Sequence, residues 1–156
     1  MAMQLNPQAL SGLSGIARRL VVDGVLADED ARRASDAAAK QKIPLVSYLV
    51  QNGLAPAAQV ASAASVEFGI PLLDVRSLDL KLIPIKLVEE GLIQKHRALP
   101  LFKRGNRLFV GISDPTNMRA LDEIKFHTNH SVEPIIVPED LLERAIDTAL
   151  AGADSL

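Results

Sequence analysis

The sequence predicts an α+β protein in which a helical subdomain, residues 13–69, precedes a small α/β sandwich subdomain, residues 70–151. Up to Gly69 the apolar residues recur at helical spacing, and the same pattern occurs twice in tandem. Beyond Gly69, short apolar runs of strand length alternate with helical stretches. With 48% hydrophobic residues among 156, the chain can bury an aliphatic core. We expect residues 1–12 to be a flexible N-terminus and residues 152–156 to begin a linker.

The first predicted helix has one apolar side and stops at a glycine. The residues that share this side are Leu13, Ile16, Ala17, Leu20 and Val21. Gly24 follows, where a helix commonly ends in left-handed backbone. The next run, ADEDARRASDAAAKQ, consists of helix formers with acids at its front and Lys40 near its end, which suits the helix dipole. Residues 13–41 therefore predict a helix hairpin.

A second copy of this hairpin follows at a shift of 29 residues. The shift aligns Leu20 with Leu49, Val21 with Val50, Gly24 with Gly53 and Val25 with Leu54. Residues 42–69 therefore predict another hairpin, and because neither hairpin can bury its apolar face alone, we expect the two to pack together.

The remaining elements are predicted in the order β-α-β-β-α-β-α. The run IPLLDV predicts a buried strand, and Pro84 predicts a short helix that Gly91 ends. RALPLFK and RLFVGIS, separated by RGN, predict a β-hairpin. A helix from Pro115 leads to the strand VEPIIV, in which Pro134 requires an edge or an unpaired position. Pro138 opens the last helix.

The corner RGNRLFVGISDPTN raises the question of a phosphate site, because a glycine-bearing turn precedes a predicted helix. Asp114 and Pro115 suit the N-cap and the first helical position, so capping accounts for both residues. A phosphate loop needs converging N–H groups, and the sequence contains no G-x-x-x-x-G-K-[ST] motif. The sequence therefore predicts a capped strand-to-helix corner.

Composition and spacing argue against several functions. A formal net charge of −2 and a pI of about 5.9 are untypical of nucleic-acid-binding proteins. Cysteine is absent, and the pair His127 and His130 lacks a third zinc ligand. The acidic pair Glu139-Asp140 falls at a predicted helix end, where solvent and the helix dipole account for it. No apolar run approaches the roughly 18 residues of a membrane span, so we expect a cytosolic, non-enzymatic chain without direct membrane insertion.

Three stretches of the sandwich half carry a resemblance to a known family: IPLLDVRSLDL, KHRALPLFKRGNRLFVGISDPTN and ALDEIKFHTN. They closely resemble the N-terminal region of the PilB family of type IV pilus extension ATPases, which is related to type II secretion ATPases and to the domain called MshEN. The resemblance implies that ATP and Mg²⁺ bind further along a parent chain, so this stretch carries no cofactor and no catalytic residue. It implies a cytoplasmic hexamer held peripherally at the inner membrane. The implied partners are a PilZ-type adaptor, platform components of the pilus machinery and the rest of the hexamer.

Some members of this family bind cyclic di-GMP through two copies of the pattern R-L-G-x-x-(two apolar)-x-x-G. The residues that match it here are Leu20, Val21, Gly24, Leu49, Val50 and Gly53. The arginine places hold Gly15 and Pro44, and the first glycine places hold Ala17 and Val46. Without arginines the motif lacks the charge-assisted donors that a phosphate or guanine needs. We therefore expect no cyclic di-GMP, and a cyclic di-GMP sensor stays open as the alternative function.

The helical half is the predicted docking region for the adaptor, because hairpins rich in Ala and Val present flat apolar strips. The residues of this predicted surface are Leu13, Ile16, Leu20, Val21, Val25, Leu26, Leu49, Val50 and Leu54. The sequence and the resemblance together predict a regulatory docking module.

Overall fold

The computed structural model describes residues 12–13 and 15–154 of the chain. The described helices are α1 (Gly15–Val22), α2 (Asp28–Gln41), α3 (Leu45–Gln51), α4 (Ala57–Phe68), α5 (Glu90–His96), α6 (Met118–Thr128) and α7 (Glu139–Asp154), and the strands are β1 (Leu99–Arg104), β2 (Arg107–Ile112) and β3 (Ser131–Ile136). This is the predicted α+β class. The predicted flexible N-terminus lies, except for Gly12, outside the described residues. The predicted linker overlaps the end of α7, which continues to Asp154.

The first helix of each hairpin ends in the same hydrogen-bonded turn. Gly24 and Gly53 occupy its left-handed position, with φ of 73° and 67°, where a side chain would be strained. In both turns the next residue, Val25 or Leu54, donates its N–H to the carbonyl five residues earlier, at 2.9 Å in each case. The tandem repeat that the sequence predicts is therefore confirmed down to its turns.

The two hairpins bury their apolar faces against each other. α1 packs mainly on α4, while α2 lies against both α1 and α3. Leu20, Leu49 and Val60 are completely buried at the centre of this packing, and each such side chain stabilises the fold by about 1.5–3 kcal/mol. An ion pair between Arg19 Nε and Glu67 Oε2, 3.1 Å apart, ties α1 to α4 at the surface. Each hairpin therefore covers the strip that the other cannot bury alone.

The sheet of the sandwich half has β2 at its centre, with β1 antiparallel and β3 parallel to it. The predicted β1–β2 hairpin is confirmed. In β3 the N–H of Ile136 points away from β2 and donates to the Pro71 carbonyl at 2.8 Å. Pro134, two residues earlier, faces the same way, so its missing N–H removes no bond to β2. The edge position predicted for Pro134 is therefore confirmed.

The first predicted strand of the sandwich half is much shorter than expected. IPLLDV forms a single parallel bridge between Leu72 and Ile136. The extended run stops early because Asp74 caps a 3₁₀ turn over Val75–Ser77, its side chain accepting from the N–H of Arg76 at 3.0 Å. The prediction of a full strand here is wrong.

The prediction of a short helix from Pro84 through Val88, stopped by Gly91, is also wrong. The chain makes one 3₁₀ turn over Ile85–Leu87, and α5 then begins at Glu90, so Gly91 lies inside its first turn. α5 ends at His96, and the capping residue Arg97 has a φ of 50°, which is uncommon for a residue with a side chain.

Candidate functional site

The turn after β2 ends the strand and leads into α6, but the capping residue differs from the predicted one. Asp114 is buried, and its Oδ1 accepts from the N–H and the hydroxyl of Thr116 at 2.9 and 2.5 Å. Because this carboxylate is used within the turn, α6 begins only at Met118, with the Asn117 side chain as its N-cap. The predicted cap by Asp114 and the predicted helix start at Pro115 are therefore wrong.

A buried carboxylate beside this turn joins the helical half to the sandwich half. Glu139, the first residue of α7, is only 3% exposed. Its Oε1 accepts from the Ser47 hydroxyl at 2.9 Å and from Arg97 Nη1 at 2.8 Å, and its Oε2 accepts from the Ser113 hydroxyl. Ser47 belongs to α3, so the Glu139 cluster, which we define as these four residues, bridges the two halves.

Glu139 begins a helix as predicted, but the prediction that solvent surrounds it is wrong. Two hydroxyls and a guanidinium replace its water, which makes burial of a carboxylate tolerable. Ser47 lies 92 residues away in sequence and Ser113 lies 26 residues away, so no local spacing indicates the cluster. The sequence offered only a weak indication of this cluster: Ser113 is the last residue of the predicted strand RLFVGIS, directly after the apolar Ile112.

Two adjoining cavities lie along the boundary beside the Glu139 cluster. The smaller, of about 170 Å³, has a mixed lining from both halves, with polar residues such as Ser47 and Arg97 beside the apolar Ile112. The larger, of about 500 Å³, is lined by Gly15, Pro44 and Asp114 among others. The structure thus brings together the two residues that hold the arginine places of the cyclic di-GMP motif. Among the described residues that line the larger cavity there is one carboxylate and no Lys, Arg or His.

The residues of the predicted docking surface lie largely in the core. Six are buried, two are partly buried and one, Leu54, is 42% exposed; the buried ones are Leu13, Ile16, Leu20, Val21, Leu26 and Leu49, and the partly buried ones are Val25 and Val50. The reason is the packing of hairpin on hairpin, which covers the apolar strips. The apolar residues that match the cyclic di-GMP motif are among these, so they build the scaffold. Of the nine, Leu54 offers the most accessible surface to a partner.

A groove of about 620 Å³ runs between α4 and the start of α7. Leu72, 44% exposed, contributes apolar surface to its wall. The small residues Ala58 and Ser62 stand one helical turn apart on α4, so a partner backbone can approach closely there. An ion pair between Arg76 Nε and Asp74 Oδ1, 2.9 Å apart, also lines the groove. We call this concavity the α4–α7 groove.

Two carboxylates near these concavities have lowered pKa values. A hydrogen bond from the Arg76 side chain lowers the pKa of Asp74, and Asp74 in turn raises the pKa of Arg76. A hydrogen bond from the His96 ring, at 2.8 Å, lowers the pKa of Glu123, to which the charge of Lys95 adds. Both carboxylates remain accessible to water, so these pairs contribute little to stability.

The described residues do not bring metal ligands together. Within residues 12–13 and 15–154, no group of three or more His, Cys, Asp or Glu side chains is placed to hold a metal ion. His130 Nδ1 donates to the Thr128 carbonyl at 2.7 Å, while His127 meets the edge of the Phe126 ring. In the same part of the chain, no helix is both long enough and apolar enough to cross a membrane.

The sequence is similar to a described domain and to full-length proteins. The MshEN domain model matches residues 68–156. The chain is 40% identical over 141 residues to the type IV pilus assembly ATPase PilB of Pseudomonas aeruginosa, and 42% identical over 133 residues to PilB of Acinetobacter baylyi. These alignments cover 90% and 85% of this chain but 25% and 23% of the relatives. The chain therefore spans about a quarter of the length of these relatives.

Two solved structures share the fold. MshE, solved with cdg, superposes with a TM-score of 0.67 at 21% identity, over 88% of this chain and 99% of that one. The N-terminal domain of XpsE superposes with a TM-score of 0.72 at 20% identity, over 93% and 97%. Sequence and fold agree: the chain belongs to the MshEN-domain family, in the branch that contains the PilB type IV pilus assembly ATPases.

Proposed function

We propose that this chain is a regulatory docking domain of an ATPase that powers type IV pilus extension, and that it binds a PilZ-type adaptor protein. The relatives support this proposal because they are pilus assembly ATPases of which the chain spans about a quarter. ATP and Mg²⁺ then belong to the remaining part of the parent chain. Platform components and the rest of the hexamer would be further partners, in the cytoplasm at the inner membrane.

The observation that carries the proposal is the α4–α7 groove. It is bounded by both halves of the molecule, so a protein seated in it would sense how the halves are arranged. Leu72 supplies an accessible apolar anchor, while Ala58 and Ser62 leave room for a side chain of the partner. Leu54, the exposed member of the predicted surface, lies two residues before Pro56 at the edge of the groove.

The test is a titration of the 156-residue chain with the cognate PilZ-type protein, by isothermal titration calorimetry. We expect a saturable complex that Leu72→Glu weakens by about 2 kcal/mol or more, because a charge would replace a buried apolar contact. Leu82→Glu is the matched control, since Leu82 is 81% exposed and lies outside the groove. The absence of a complex with the unaltered chain, or equal weakening by both variants, would contradict the proposal.

The alternative function, a cyclic di-GMP sensor, is favoured by one observation. MshE, which shares the fold, was solved with cdg, which we take to be cyclic di-GMP. The corresponding motif places Gly15 and Pro44 at the larger boundary cavity, where neither offers the charged side-chain donor of an arginine to a dianionic ligand. We therefore expect no heat of binding when cyclic di-GMP is titrated into the chain. Saturable micromolar binding would establish the sensor in its place.

A further inference from the structure

The far end of the sandwich carries an exposed aromatic side chain, with cations along the same edge. Phe126 on α6 is 84% exposed, in a chain with only 3% aromatic residues. The β1–β2 turn lies beside it, because Asn106 and Phe126 line the same shallow concavity and the Asn106 carbonyl accepts from the N–H of Ser131 at 2.8 Å. The end of α6, the start of β3 and the tip of the hairpin therefore meet at one edge of the molecule, which we call the Phe126 tip.

The charge of the Phe126 tip is opposite to that of the whole chain, which is −2. Lys103, Arg104 and Lys125 are exposed and have no ion-pair partner within the described part of the chain. The fourth cation, Arg107, is neutralised by Glu133, with Nη2 and Oε1 only 2.6 Å apart. Asp122 is the remaining acid of the adjoining concavity. Within the described residues, the hairpin tip and the end of α6 thus carry three cations without an ion pair, and the adjoining concavity holds one such carboxylate.

We infer that the Phe126 tip rests on an anionic lipid bilayer, with the phenyl ring at the depth of the headgroups and the three cations against the lipid phosphates. Cationic side chains near an anionic leaflet are attracted to it, and amphipathic side chains keep their charged ends in water. The surroundings of the ring favour lipid over protein, because its neighbours in the concavity are polar: Asn106, Asp122, Lys125, Asn129, His130 and Ser131. Anchor residues of protein interfaces usually stand in a well-packed cluster, which this edge does not offer.

The experiment measures tryptophan fluorescence, because the chain contains no tryptophan of its own and an introduced one is the only source of that signal. Phe126→Trp places a single fluorophore at the tip, and Val66→Trp places one at a 66% exposed position of α4. α4 leads into Leu72, which bridges Ile136 at the opposite end of β3 from Ser131, so Val66 is a control remote from the tip. Each variant is titrated at low salt with vesicles of phosphatidylglycerol and phosphatidylcholine, and with vesicles of phosphatidylcholine alone.

We expect the tryptophan emission of the Phe126→Trp variant to shift to the blue with anionic vesicles and not with neutral ones, and no shift for the Val66→Trp variant. Replacing Lys103 and Arg104 with glutamine should weaken vesicle binding by about fivefold for each cation, and added salt should weaken it further. Co-sedimentation of the unaltered chain with the same vesicles checks that tryptophan does not create the affinity. No binding at low salt, or equal shifts at both positions, would overturn the inference. An emission shift with soluble polyglutamate but not with vesicles would also overturn it, and would assign the tip to an acidic protein instead.

Discussion

The first turn of α7 separates two surfaces of opposite character along the boundary between the halves. On one side Glu139 is 3% exposed and is hydrogen-bonded to both halves. On the other side Asp140 and Leu141 line the α4–α7 groove, where Leu72 is 44% exposed. Directional bonds therefore fix the contact between the halves on the polar side, while accessible apolar area remains on the other. A partner that fills the groove would therefore contact two halves whose relative position the hydrogen bonds of the Glu139 cluster already fix.

The substitution Glu139→Ala tests this comparison with the largest expected effect. The substitution leaves the buried hydroxyls of Ser47 and Ser113 without their acceptor and removes the nearer of the two carboxylate partners of Arg97, the other being Glu143. Because unsatisfied buried polar groups are costly, we expect a loss of about 3 kcal/mol or more in the free energy of unfolding. Urea denaturation followed by circular dichroism measures it.

Asp140→Ala is the matched control for that experiment. Asp140 is the next residue of α7 and is exposed to water, so its replacement should change the free energy of unfolding by no more than about 0.5 kcal/mol. Equal effects of the two substitutions would mean that the polar and apolar sides of the boundary do not differ as the structure indicates.

A smaller effect is expected from Ser47→Ala, which removes only the bond from the helical half. Glu139 keeps Arg97 and Ser113 as partners, so the cost should be about 1–2 kcal/mol. Ser62→Ala controls for the loss of a hydroxyl, because Ser62 is an exposed residue of the groove. A cost for Ser47→Ala no larger than that of the control would show that the halves are joined mainly by apolar contact.

The elements of the helical half could be predicted because their signals are local. Each signal lies within a single helix and the turn that follows it: the spacing of Leu20 and Val21 and the stop at Gly24 in the first hairpin, and the same stop at Gly53 in the second. The sandwich half was harder, since the failure of IPLLDV as a strand depends on a side-chain cap at Asp74 that competes with sheet pairing.

The candidate sites were less predictable than the fold because they depend on contacts distant in sequence. Glu139 looks like an ordinary first-turn acid until Ser47 is brought to it by tertiary packing. The apolar spacing that predicts a helix is the same whether that face packs on the other hairpin or binds a partner. Spacing alone therefore could not show that Leu49 belongs to the core and not to a docking surface. The family resemblance correctly identified the domain and did not indicate the α4–α7 groove.

The smallest expected effect concerns a carboxylate near the polar side that water still reaches. His96 lines the smaller boundary cavity and hydrogen-bonds Glu123, whose pKa is lowered from an ordinary value of 4.5. A folded-state pKa below the unfolded one contributes stability that is complete above pH 4.5 and is lost as the pH falls through the folded value. We therefore expect the stability difference between the unaltered chain and Glu123→Gln to be small, and to shrink as the pH falls below 4.5. Urea midpoints measured from pH 7 to about pH 3.5 test this, with Asp122→Asn as the control for loss of a neighbouring exposed carboxylate. A difference that widens in acid would contradict the lowered pKa of Glu123.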